Sequence, residues 1–62
     1  MTLYEYLCTL TNGSKHLLLF NSRDGVVILE TIWYNTIPHE YYDWKIETVE
    51  EKEYEVRLGI HD

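Results

Sequence analysis

Apolar residues recur along this chain at two different periods, and the change of period separates its elements. Leu3, Leu7 and Leu10 stand at i, i+4 and i+7, one stripe of a helix, with Tyr6 flanking it. Thr2 and Glu5 have the spacing of a capping box, in which each side chain accepts from the other residue's backbone N–H. The pattern predicts a short helix from Thr2 to Leu10, stopped by Asn12-Gly13, whose residue types tolerate positive φ. So short a helix is unstable alone and must pack on something.

The next apolar runs are compact and flanked by turn residues. Lys15 to Phe20 precedes the cluster Asn21-Ser22-Arg23-Asp24-Gly25, and Val26 to Tyr34 follows, rich in β-branched and aromatic residues. Two such runs around a Gly-containing loop read as a hairpin. Asn35-Thr36-Ile37-Pro38 breaks the second strand, and Pro38 suits the start of a helical turn reaching Asp43.

Beyond that turn the period is two. Trp44, Ile46 and Thr48 are expected on one side with Lys45 and Glu47 on the other. Tyr54, Val56, Leu58 and Ile60 are expected on one face, opposite Glu53, Glu55 and Arg57. The charged middle predicts a turn near Glu50 to Lys52, with one long bulged strand as the alternative. The chain contains no alanine or glutamine, which argues against an all-helical fold. The predicted class is α+β: a short N-terminal helix packed on a small antiparallel sheet of two hairpins, with a helical turn between them.

Composition narrows the picture. With 62 residues the chain makes one domain, residues 1–62, and its stability is expected to be marginal. Cys8 is the single cysteine, so no internal disulfide forms, which fits a reducing cytoplasm. Aromatic residues, 15% of the chain, are the available compensation, and a homodimer is the other open route. The N-terminus has no basic region of the kind a signal peptide carries. The longest apolar runs, Leu17 to Phe20 and Val26 to Leu29, are far below membrane-spanning length. The expected location is the cytoplasm, of a host cell if the resemblance given below holds.

Charge is the strongest functional signal. The net charge is -6, and residues 40–62 hold eight acids against Lys45, Lys52 and Arg57, leaving -1 for residues 1–39. Such a balance disfavours direct contact with a phosphate backbone, and the scattered bases form no basic stripe. Glu47, Glu50, Glu51, Glu53 and Glu55 are therefore expected to form an acidic face that fits a cationic protein groove, one built for nucleic acid in particular. A solvated, merely soluble strand face is the alternative reading. Tyr41 and Tyr42 are adjacent, so at least one is expected to be exposed and to serve as a contact residue, whereas Trp33 and Trp44 are expected in the core.

Signals for catalysis are weak. His16, His39 and His61 lie singly, with no spacing suited to a metal. Cys8, among leucines, reads as a small buried hydrophobe. Gly13, Gly25 and Gly59 are isolated and make no phosphate-cradling loop. No catalytic residue, metal or cofactor is expected.

L-Y-E-Y-L (Leu3 to Leu7), the D-G turn (Asp24-Gly25) and I-P-H-E-Y-Y-D (Ile37 to Asp43) together resemble small acidic proteins encoded by phages and prophages of Gram-positive bacteria. The resemblance covers about a quarter of the chain. It implies a neighbourhood of host-defence evasion, with anti-CRISPR-type inhibitors and inhibitors of DNA-repair enzymes as examples. The expectation is then a non-enzymatic inhibitor whose partner is a Cas effector or other nuclease, bound through the acidic face, as a DNA mimic binds, or by bridging the target. A structural or accessory phage protein that self-assembles through an aromatic face is the alternative.

Overall fold

The computed structural model describes residues 1–11 and 13–62, so the Asn12 half of the expected helix stop lies outside the described residues. The helix α1 spans Leu3–Leu7, followed by strands β1 (His16–Asn21) and β2 (Val27–Thr31). Two 3-10 turns, Tyr34–Thr36 and His39–Tyr41, lead into β3 (Lys45–Glu51) and β4 (Glu55–His61). The α+β class and the order helix, hairpin, helical turn, hairpin are as the sequence predicts.

At the start of α1, four backbone donors need partners outside the helix's own ladder, and all four have them. Thr2 N–H donates to Glu5 Oε1 at 2.9 Å and Glu5 N–H to Thr2 Oγ1 at 3.2 Å, completing the capping box. Leu3 N–H donates to the Trp44 carbonyl at 2.8 Å and Tyr4 N–H to the Tyr42 carbonyl at 3.1 Å. The same segment reaches the edge of β3, where Ile46 N–H donates to the Met1 carbonyl at 3.0 Å. The helix is shorter than the Leu3, Leu7, Leu10 stripe predicts: Leu3 is buried, while Leu7 and Leu10 pack half-buried against the core.

The strands form a mixed four-stranded sheet in the order β2-β1-β4-β3. Each hairpin is antiparallel, and β1 pairs with β4 in parallel from His16 opposite Glu55 to Asn21 opposite Ile60. The expected purely antiparallel sheet is therefore corrected at its centre, where the two hairpins lie side by side. The first hairpin turns as its residues dictate. Arg23 N–H donates to Asn21 Oδ1 at 2.8 Å, Val26 N–H to Asp24 Oδ1 at 2.9 Å, and Gly25 takes φ +77°.

One face of the sheet carries Leu17 and Leu19 from β1 and Val56, Leu58 and Ile60 from β4, all fully buried. Leu3, Tyr34 and Ile37 close over them. Tyr34 fits there because its hydroxyl donates to the Lys15 carbonyl at 2.8 Å and accepts from Lys15 N–H at 3.2 Å. Trp33, expected in the core, is instead 55% exposed, and its ring lies against Gly13. Trp44 is half-buried against the core, with Tyr41 edge-on at 4.9 Å.

The register of β3 departs from simple alternation. Ile46 pairs with Ile60 but Thr48 pairs with Gly59, so Glu47 is an extra residue in a bulge. The bulge puts Val49 opposite Leu58, and moves Thr48 to the opposite face with Glu50. The turn falls later than expected, closed by Lys52 N–H donating to the Glu55 carbonyl at 2.7 Å. Tyr54 sits at its tip, 77% exposed, and does not share the buried face of Val56, Leu58 and Ile60.

Gly59 makes the second face possible. A Cβ there would collide with Thr48 Oγ1 and lie 2.9 Å from the Phe20 ring. Gly59→Ala is expected to cost about 1–3 kcal/mol, as overpacking does. Urea unfolding should show a lower midpoint at unchanged m-value.

The Glu5 carboxyl is held below the ordinary glutamate range, chiefly by its hydrogen bond from Thr2 N–H and next by the Thr2 side chain. A lowered folded pKa stabilises above the unfolded value and loses that contribution as pH falls through the folded one. The stability advantage of the wild type over Glu5→Gln should accordingly be present at neutral pH and be lost progressively as pH falls below the ordinary glutamate range. Thermal melts of the two proteins across pH check this.

Candidate functional site

The expected acidic face resolves into the β3–β4 hairpin, and its five carboxylates differ in direction. Glu50 lies opposite Arg57 on the face away from the buried core, and Glu55 lies on the same face by alternation with Arg57. Glu51 lies opposite Val56, at the margin of the core face. Glu47 occupies the bulge and Glu53 lies in the turn between the strands. The regular row expected along one strand face is not formed.

Three of these carboxylates have basic partners. Lys15 Nζ meets Glu51 Oε1 at 2.9 Å and also donates to the Lys52 carbonyl at 3.0 Å, tying the second hairpin's turn to the start of β1. Lys52 Nζ lies 3.2 Å from Glu50 Oε1, and Arg57 Nε 3.4 Å from Glu55 Oε1. Among the described residues, Glu47 and Glu53 enter no ion pair, so the free negative charge sits at the bulge and at the turn. The exposed pairs are each worth only about 0–1 kcal/mol, so they can open to meet another partner.

The bare sheet face next to this hairpin is partly apolar. Leu18, Phe20 and Val27, with Gly25, Glu50 and Arg57, line a shallow groove of about 430 Å³. The Phe20 ring lies along the sheet because Gly59 beneath it has no side chain. Neither α1 nor the 3-10 turns contribute to the groove's lining. Apolar centre and charged border thus meet at Glu50 and Arg57. The apolar part was not foreseen from sequence, although Leu18 and Phe20 alternate with the buried Leu17 and Leu19 as the second face of a strand must.

Tyr41 and Tyr42 lie in and just after the second 3-10 turn, where side chains do not alternate, and both are half-buried against the core. Tyr42 packs against Tyr4 at 5.4 Å and against His39 at 4.9 Å. The expectation that one of the pair is exposed is thereby corrected. The well-exposed aromatic side chains are Tyr4, Trp33 and Tyr54.

A second groove, about 220 Å³, is lined by Tyr4, Leu7, Cys8, Leu10, Tyr34, Asn35 and Tyr42. Cys8 caps the C-terminal end of α1 and is exposed, not buried among leucines as the sequence suggested. Its side chain raises the Tyr4 phenol pKa by hydrogen bonding, and burial raises that of Tyr6. No histidine belongs to this lining, so Cys8 has no base within the groove. Among the described residues, no three His, Cys, Asp or Glu side chains group as a metal site, and no helix is long and apolar enough to cross a membrane.

Comparison with known protein families, curated proteins and solved structures gave no match.

The different surroundings of the two tryptophans are directly measurable. In Trp33→Phe the remaining emission, from Trp44, should shift to shorter wavelength and resist acrylamide quenching relative to the wild type. A red-shifted, readily quenched Trp44 would contradict the packing described above.

Proposed function

We propose that this chain is a non-enzymatic binding protein that docks its β3–β4 hairpin and the adjoining groove onto a cationic surface of a protein partner. One observation carries the reading: an apolar groove on the sheet face away from the core is bordered by Glu50 and Arg57 of the charged second hairpin. Protein contact surfaces combine those two parts, an apolar centre that excludes water and a polar rim that sets orientation. In the proposed complex Phe20, Leu18 and Val27 supply the centre. Glu47 and Glu53 supply uncompensated charge, and Glu50 and Glu55 exchange their exposed internal pairs for partner lysines or arginines. Glu51, held by Lys15, acts mainly within the fold. Tyr41 and Tyr42 pack on the other side of the sheet and contribute by holding the hairpin's entry.

The partner class follows from charge. A cationic groove deep enough for a β-hairpin is characteristic of proteins that handle nucleic acid, and the resemblance to phage-encoded proteins points to a host nuclease, an RNA-guided effector first. Occupying that groove would block nucleic-acid access without any chemistry on the inhibitor's side. Charge complementarity of this kind speeds association and weakens with salt.

The test pairs charge with packing. Glu47→Lys, Glu50→Lys and Glu53→Lys together, and separately Phe20→Ser, are assayed for inhibition of a purified RNA-guided nuclease at low and high salt. Loss of inhibition in both, at thermal stabilities matched to controls, supports the proposal. Inhibition that survives the triple substitution and is indifferent to salt overturns the charge-based reading. Recovery of only the chain itself, or of virion components, from a salt-independent pull-down would favour the structural phage protein.

A further inference from the structure

Lys15 is fixed at both ends. It stands just before β1, and its backbone N–H and C=O are both taken by the hydroxyl of the buried Tyr34, at 3.2 and 2.8 Å. The core thereby sets where the Lys15 side chain starts.

From that base the side chain crosses to the second hairpin. Its Nζ meets Glu51 Oε1 at 2.9 Å and donates to the Lys52 carbonyl at 3.0 Å. The Lys15 side chain is 25% exposed, against 46–64% for Arg23, Lys52 and Arg57 in their ion pairs. A partly sheltered cation bonded to two acceptors holds its geometry better than an exposed pair does.

The next residue adds a second hold. His16 N–H donates to the Tyr54 carbonyl at 3.0 Å, and Lys52 N–H closes the turn on the Glu55 carbonyl at 2.7 Å. Residues 15 and 16 thus bind the carbonyls on either side of Glu53. Glu53 is exposed and, among the described residues, enters no ion pair of its own. Its direction is therefore set by its neighbours' backbone.

We infer that Lys15 is the positioning residue of the acidic surface: it holds the β3–β4 turn, and Glu53 with it, in the orientation that a partner meets. Its consequence for binding rests on the function proposed above; its hold on the turn does not. A carboxylate on a loose turn must be ordered when a partner binds, at a cost in conformational entropy that a turn already fixed does not incur.

Charge and position make opposite demands on this residue. A lysine inside an acidic surface weakens that surface's attraction for a cationic partner. By charge alone, replacing Lys15 should strengthen binding. By position, it should weaken it.

The comparison uses the wild type, Lys15→Met, Lys15→Arg and Lys52→Met. Lys15→Met leaves both backbone bonds to Tyr34 in place. Lys52→Met removes the same charge but breaks only an exposed pair with Glu50. In amide exchange, protection of the Lys52 N–H should fall about tenfold in Lys15→Met, as for the loss of a hydrogen bond to a charged group. The amides of β1 and β4 should keep theirs. Lys15→Arg, which can reach both acceptors, should restore most of the lost protection, and Lys52→Met should show no loss at position 52.

Inhibition of a purified RNA-guided nuclease should weaken about fivefold in Lys15→Met and hold or improve in Lys52→Met. Unchanged protection of the Lys52 amide in Lys15→Met overturns the positioning role. So does a loss spread equally over β1 and β4, which marks a general stabiliser, and so does a Lys15→Met protein that inhibits as well as the wild type or better. A wild type that does not inhibit the nuclease counts against the function proposed above, and the exchange comparison then decides on Lys15 by itself.

Discussion

The parallel pairing of β1 with β4 is the constraint on which the rest of the molecule depends. Five of the eight core residues belong to these two strands, and neither hairpin alone can bury them. A two-stranded hairpin is at best marginally stable in water, so each half needs the other. Once β1 and β4 are joined, Leu17, Leu19, Val56, Leu58 and Ile60 form one apolar floor. Leu3, Tyr34 and Ile37 then have something to close over. Lys15 reinforces the join from the side, reaching both Glu51 and the Lys52 carbonyl.

The same constraint gives the sheet its asymmetry. One face is spent on the core, covered by α1 and the two turns. The other is left with Leu18, Phe20 and Val27 around a glycine, bordered by the charged residues of the second hairpin. The candidate surface is thus the reverse side of the core strands.

Short-range signals were legible in the sequence. The Thr2–Glu5 capping box, the Asp24-Gly25 turn, the Pro38 turn and the alternation through Val56, Leu58 and Ile60 each depend on residues within a few positions of one another. The misjudged features are long-range. Nothing local says that Glu47 is an extra residue, since a bulge is defined by the partner strand. Trp33 lost the core to Tyr34 because the latter's hydroxyl finds both backbone groups of Lys15, which is 19 positions earlier. The acidic run looked continuous on paper, yet Lys52 and Arg57 pair with Glu50 and Glu55, and Lys15, 36 positions away, reaches Glu51 only after folding. Hence the fold class was readable, while the orientation of the candidate site was not.

The join between β1 and β4 also sets how the chain must find its structure. His16 and Glu55 become neighbours across nearly 40 positions. Closing a loop of that length costs entropy before any core contact repays it. The hairpins, with their short turns, can flicker into existence early, but the decisive event is their docking. Folding should therefore be a single collective step whose barrier lies in bringing the two halves together. The native molecule, for the same reason, should open at that seam or not at all, with protection from exchange lost in both hairpins together.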